Sequence, residues 1–409
     1  MTSLADSVLP LLRTRSDLSR WGAANEHGHQ MHEAIDLLEA ALPMTGPAEA
    51  YAVAHAALAS AVKVIARADD SSGIIGDACH RLLALHPAAA ASAGVTPGKL
   101  VDWMMKFQFD GDVDYFEIDP IAYAPALGEV GMNAYRKRLD AVRASLGSAP
   151  AEADRWSTPH RHERWLLDWN DRRLAVFDRD VDAIVRSHAR DRTVAAWLQD
   201  TAQAFEEIGE IDLAIHWARQ ATDHGPGHQS LKASEYWCDL LTRHRPAALL
   251  AARSEVFRRW PSATTATRLH QAAGSSWHDY HDDVLATLAT RPDQSVLLSI
   301  GTLKDPVLAW EQAHALGLDD DRVWAELAKA YEKVDPLAVL RVHQRLVEHE
   351  LVNADAQHYR LAARRLATMR KLAAGTDQLA NVDSLIAELR ETNRRRPRLQ
   401  QEFDRAGLP

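Results

Sequence analysis

Two cysteines, Cys79 and Cys238, are all that the 409 residues contain, and they stand far apart. With no Cys-x-x-Cys pair, a thiolate zinc site and a disulfide framework are both excluded. Lysine is scarce as well: nine of the 47 basic residues are lysine and the others arginine. That bias, with the heavy use of alanine, reflects GC-rich codons. No apolar run approaches the ~20 residues of a membrane span. The opening MTSLADSVLPLLRTRSD lacks a basic segment followed by an apolar core, so no secretory signal is expected. Phosphate-loop, dinucleotide-binding and nucleophile-elbow patterns are missing. The net charge of −10 disfavours a surface given over to nucleic acid or anionic lipid. These absences predict a soluble cytoplasmic protein with no cofactor and no membrane segment.

What is present is helical periodicity. MHEAIDLLEAAL (31–42) sets Ile35, Leu38 and Leu42 on one face. The segment from Pro47 opens with proline at a first helical position, where its missing N–H costs nothing. Alternating strand patterns and hairpin turns are not found. The fold class is therefore all-α. A small-residue, proline-containing stretch, GSAPAEADRWSTPH (147–160), predicts a boundary between an N-terminal helical domain (1–148) and a second helical domain (159–409).

The second part carries weak repeats. Counting from Leu198, Ala202 and Phe205 take the small and aromatic positions of a first helix, Gly209 the turn, and Ala214, Ala218 and Ala221 a second helix closed by Pro226. WAELAKAY places Trp324, Leu327, Ala328 and Tyr331 at the same spacing. This pattern predicts a tetratricopeptide-like α-solenoid, because a lone helix pair cannot bury its own apolar face.

Chemistry-bearing residues cluster in three ways. FQFDGDVDYFEIDP (107–120) gathers Asp110, Asp112, Asp114, Glu117 and Asp119 among aromatic residues. An EF-hand loop started at Asp110 fails, since Tyr115 stands where glycine is needed and Ile121 where a bidentate glutamate is needed. The aromatics are expected to pin the segment while its carboxylates face outward, a docking surface for a basic partner. Histidines gather at His27, His29 and His32, at His160 and His162 beside Glu163, and at His278 and His281. Of these, His160, His162, Glu163, His278 and His281 are the metal-ligand candidates, without a matching metalloenzyme motif. Near the C-terminus, Arg394, Arg395, Arg396 and Arg398 form a basic cluster without interleaved aromatics, and Arg394, Arg395 and Arg396 are candidate contacts for an acidic partner.

The runs LVDWMMKFQFDGDVDYFEIDPIAYAPALGEVGMNAYRKRL, RHERWLLDWNDRRLAVFDRDVDAIVRSHARD and RPRLQQEFDRAGL resemble an uncharacterised bacterial family. That family also forms the C-terminal part of SWIM-type zinc-finger proteins. The similarity covers about residues 50–409 and implies a tetratricopeptide-like helical scaffold. The Cys-x-Cys and Cys-x-His ligands of the finger itself are absent here. Together these readings predict a non-enzymatic interaction scaffold or accessory subunit for a protein or peptide partner. A metal-dependent enzyme or enzyme-activating subunit, with a His/carboxylate site between the halves, is the alternative. Nucleic-acid binding through the C-terminal arginines is the third reading.

Overall fold

Residues 3–111, 116–147 and 160–409 are described by the computed structural model. Among them the regular elements are all helical, with turns between. Packing divides the chain into two units, Met1–Trp217 and Ala218–Pro409.

The first unit begins with α1 (Leu4–Leu12), opened by a capping box in which Ser3 and Asp6 satisfy each other's backbone N–H groups. Then come α2 (Trp21–Ala41), α3 (Pro47–Ile65), α4 (Ile74–Ser92), α5 (Pro97–Phe109) and α6 (Pro120–Leu146). Proline occupies the first turn of α3, α5 and α6, as expected for Pro47. α6 is broken by a kink at Gly128, whose φ of 56° suits a residue without a Cβ. α7 (Arg161–Phe177), the short α8 (Val181–Ile184), α9 (Ala195–Glu207) and α10 (Ile211–Asp223) follow, the division between units falling within α10.

Two apolar cores hold this unit. Val8, Leu12, Met31, Ile35, Leu38, Leu58 and Leu82 fill the first, between α1 and α4. Leu100, Met104, Tyr123, Leu127, Tyr135 and Leu139 fill the second, where Leu167 and Leu174 of α7 join them. The stretch expected as a domain boundary lies mostly outside the described residues, and the helices beyond it, up to Trp217, pack with the first unit. α3 is apolar and long enough by composition to cross a membrane, with a mean hydropathy of 1.3, although the sequence pattern predicts no such run. Half of that window is buried within the unit, and Val53, Ala57, Leu58 and Ala61 lie in its core.

In the second unit each helix packs on neighbours in the chain. α11 (His228–His244) meets α12 (Leu249–Arg259), which meets α13 (Ala263–Ala273). Beyond α14 (His281–Leu288), the series α15 (Pro292–Leu298), α16 (Pro306–Ala315), α17 (Asp321–Tyr331), α18 (Leu340–Val352) and α19 (Ala356–Ala373) continues the same way. α20 (Gln378–Thr392) and α21 (Pro397–Arg405) both close on α19. Separate small cores lie along the series: Val284 and Leu288 in one, Val296 and Leu327 in the next, Leu366 and Phe403 in the last. Trp310 stacks on Tyr331 with centroids 4.3 Å apart and planes at 8°, joining α16 to α17.

Within the first unit α2 passes close to α4 at Gly28, where an added Cβ would stand 2.5 Å from Ile74 Cγ2 and 3.3 Å from Ile74 Cβ. Alanine gains up to about 1 kcal/mol of helix propensity over glycine, but overpacking a filled seam costs about 1–3 kcal/mol. Gly28→Ala is therefore expected to destabilise the protein on balance, read as a lower urea midpoint; a midpoint at or above that of the wild type would show that the seam relaxes freely.

Candidate functional site

Residues 116–119, the described end of the acidic stretch, are held by their apolar side chains. Phe116 is buried in the first core and Ile118 in the second, so two residues of one short segment anchor it to both. Trp169 of α7 donates its indole N–H to the Ile118 carbonyl at 3.1 Å. Asp112, Asp114 and Tyr115 lie outside the described residues. Asp110 ends α5 and is exposed, as the sequence suggests, while Glu117 is half-buried.

Asp119 departs from that expectation. Its Oδ1 accepts the Ile121 N–H at the start of α6, and both carboxylate oxygens accept from Arg173, at 3.0 and 2.9 Å. The same guanidinium grips Glu207 of α9 with two further bonds of 2.7 Å. Arg173 is 15% exposed and so holds two carboxylates at once across α6, α7 and α9. Burial opposes its charge, but the hydrogen bonds to Glu207 and Asp119 outweigh burial and raise its pKa. In return, the hydrogen bond from Arg173 holds the Glu207 carboxyl below the usual range. Asp119 is thus committed to the fold, leaving Asp110 and Glu117 as the described carboxylates that a partner could reach.

Beneath the stretch lies a closed polar triangle. Gln108 donates to the Tyr135 hydroxyl at 2.8 Å, Tyr135 donates to Asn170 Oδ1 at 2.7 Å, and Asn170 donates back to Gln108 Oε1 at 3.1 Å. All three side chains are buried, and each satisfies another. A second buried chain runs between α3, α4 and α6. His55 Nδ1 and His86 Nε2 are 2.9 Å apart, and His86 Nδ1 and the Tyr123 hydroxyl are also 2.9 Å apart, with the Trp103 ring 4.4 Å from that of His86. Burial, and then the neighbouring His55, push His86 down to about 3. Burial likewise lowers His55 and raises Tyr123. At neutral pH this chain is uncharged, and it cross-links helices by hydrogen bonds and ring packing.

The histidine candidates do not converge. His160 pairs with Glu163 at 3.0 Å, whereas His162 turns toward α5, donates to the Gln108 carbonyl at 3.3 Å and stacks on Trp165. His278 sits in a 3-10 turn against the Ser275 carbonyl, and His281 opens α14 beside Asp282. His32 bonds the Ile74 carbonyl and Arg81. Among the described residues, no group of three or more His, Cys, Asp and Glu side chains is placed to hold a metal ion. Burial pushes Cys79 up to about 12 and Cys238 up to about 11, so both are protonated thiols at neutral pH.

The arginine cluster is likewise dispersed into local bonds. Arg394 pairs with Glu391, Arg398 with Glu402, and Arg396 donates to the Leu351 carbonyl. Arg395 is exposed between them.

A family model matches residues 9–398. The chain belongs to that family, DUF6880, a family of unknown function. Comparison with curated proteins gave no match. The match spans both units, so the Arg173 bridge, the polar triangle and the histidine chain all fall within the family's extent.

Sequence reasoning missed Arg173, Glu207, Gln108, Asn170, His55 and His86 as a set. Their partners lie 27 to 62 residues away along the chain, beyond the reach of helical periodicity.

Two predictions follow from this geometry. Arg173→Met leaves Asp119 and Glu207, at 37% and 43% exposure, facing one another with water to relieve part of the repulsion. A loss of about 2 kcal/mol is expected in urea unfolding, and an unchanged midpoint would remove the bridge from any structural role. For His86, the unfolded imidazole takes its proton near pH 6.5 and the folded one only near pH 3. Stability is therefore complete above 6.5 and falls as the pH drops toward 3, because the unfolded state binds the proton first. Between pH 7 and 5 the expected loss is about 1–2 kcal/mol, and His86→Asn should flatten the slope. An equal slope in the variant would refute the assignment.

Proposed function

We propose that the chain is a non-enzymatic interaction scaffold or accessory subunit, acting in the bacterial cytoplasm on a protein or peptide partner. The observation that supports this reading is the serial packing of the second unit, where successive helices each bury a face on chain neighbours. Such arrays build extended surfaces from short repeated units, and binding is their common use.

The repeat reading is tetratricopeptide-like. α9 ends in a Schellman turn, with Gly209 at φ 80° and the Glu210 N–H bonded to the Phe205 carbonyl. Ala202, Phe205, Ala214, Ala218 and Ala221 are buried, as are Trp324, Leu327 and Ala328. The resemblance of three segments to the helical part of SWIM-type zinc-finger proteins supports an accessory role beside a separately encoded partner. We place a basic partner on the acidic stretch, through Asp110 and Glu117 together with Asp112 and Asp114. Arg395 is the candidate on the tail for an acidic partner.

Native mass spectrometry of the tagged protein, purified gently from its own host, tests the proposal. A defined additional protein mass is expected, lost from the Asp110→Asn/Asp112→Asn/Asp114→Asn variant at unchanged Tm. Retention of that mass in the variant would remove the acidic stretch as the docking site. A bare chain carrying a stoichiometric metal or small-molecule mass would overturn the scaffold reading.

A further inference from the structure

Between the end of α1 and one face of α3 lies a cleft of about 470 Å³ whose charged lining is entirely cationic: Arg13, Lys63 and Arg67. In a chain of net charge −10 this is a local reversal of sign. The α3 side follows helical spacing, with Ala56 and Ala59 as a shallow floor, then Ser60, Lys63 and buried Val64. Arg67 is already engaged, its two terminal nitrogens donating to the Thr14 and Ser16 carbonyls at 2.5 and 2.9 Å. It fastens the turn after α1 against α3 and so sets the width of the cleft. Arg13 donates through Nε to the Ser60 hydroxyl at 3.3 Å, which orients the guanidinium while its terminal nitrogens stay available. Lys63 is exposed on the same wall. Asp17, four positions beyond Arg13, accepts the Ser19 N–H at 3.0 Å, and Asp69, two positions beyond Arg67, accepts the Ser71 N–H at 3.3 Å.

We infer that this cleft binds a small phosphate monoester with an apolar substituent. Arg13 and Lys63 take the phosphate oxygens by charge-assisted hydrogen bonds. Arg67 is the positioning residue, and the methyl groups of Ala56 and Ala59 receive the substituent. A dianionic tetrahedral group suits a guanidinium and an ammonium lining one cleft better than a single carboxylate does. The site lies in the first unit and is independent of the acidic stretch.

Titration calorimetry of the full chain with phenyl phosphate at low salt tests this. Saturable one-to-one binding is expected that weakens as salt is added. Arg13→Gln/Lys63→Gln should weaken it by about tenfold or more, with Tm unchanged because both side chains are exposed. Ala59→Leu, which fills the floor without altering charge, should weaken phenyl phosphate more than inorganic phosphate. Vesicles containing phosphatidic acid form a second arm. Binding to them that phenyl phosphate displaces and the double variant loses would support the site and assign its phosphate to a lipid. The inference fails if neither probe binds saturably, or if the double variant binds as tightly as the wild type.

Discussion

One guanidinium sets much of the first unit in place. Arg173 reaches from α7 to the carboxylate that starts α6 and to the one that ends α9, using four N–H···O bonds. A largely desolvated cation is tolerable when its donors are matched by acceptors of opposite charge, and here two carboxylates match one fork. Because Asp119 also caps α6, the start of that long helix depends on the same contact. The neighbouring Trp169 bond to Ile118 and the Gln108–Tyr135–Asn170 triangle repeat the logic with neutral groups.

Arginine plays a similar part along the rest of the chain. Arg190 lies over Trp197, Arg192 over Trp217, Arg219 over Trp237 and Arg345 over Trp324, at 4.6 to 5.1 Å from the ring centroids. Arg219 also pairs with Glu255, and Arg253 with Glu235, each joining α10 or α11 to α12. The preference for arginine over lysine therefore has a structural consequence. The planar, permanently charged group can stack on tryptophan with its face and pair with carboxylates at its edge, which a lysine ammonium cannot do at one site.

These internal commitments narrow the functional choices. A carboxylate held by two arginine bonds is a poor docking group, and two protonated thiols are poor nucleophiles. Of the charged groups weighed above, Asp110, Arg395, Arg13 and Lys63 remain exposed. The fold thus separates side chains that hold helices together from those that can meet another molecule.

The sequence by itself determined the all-α class, the proline-opened helices and the apolar face of each. These are local properties: 3.6-residue periodicity and first-turn proline depend on residues within one or two turns. It also placed Ala202, Phe205, Ala218 and Trp324 on buried faces, because small and aromatic residues at helical spacing carry that information without knowledge of the partner helix. The tertiary structure alone decided that Asp119 faces Arg173, that His160 and His162 diverge, and that α7 to α9 fall in the first unit. A charged side chain reads the same whether its partner is water, a ligand or an arginine 54 positions away. That choice is made by the positions of whole helices, after the local pattern has been spent on forming them.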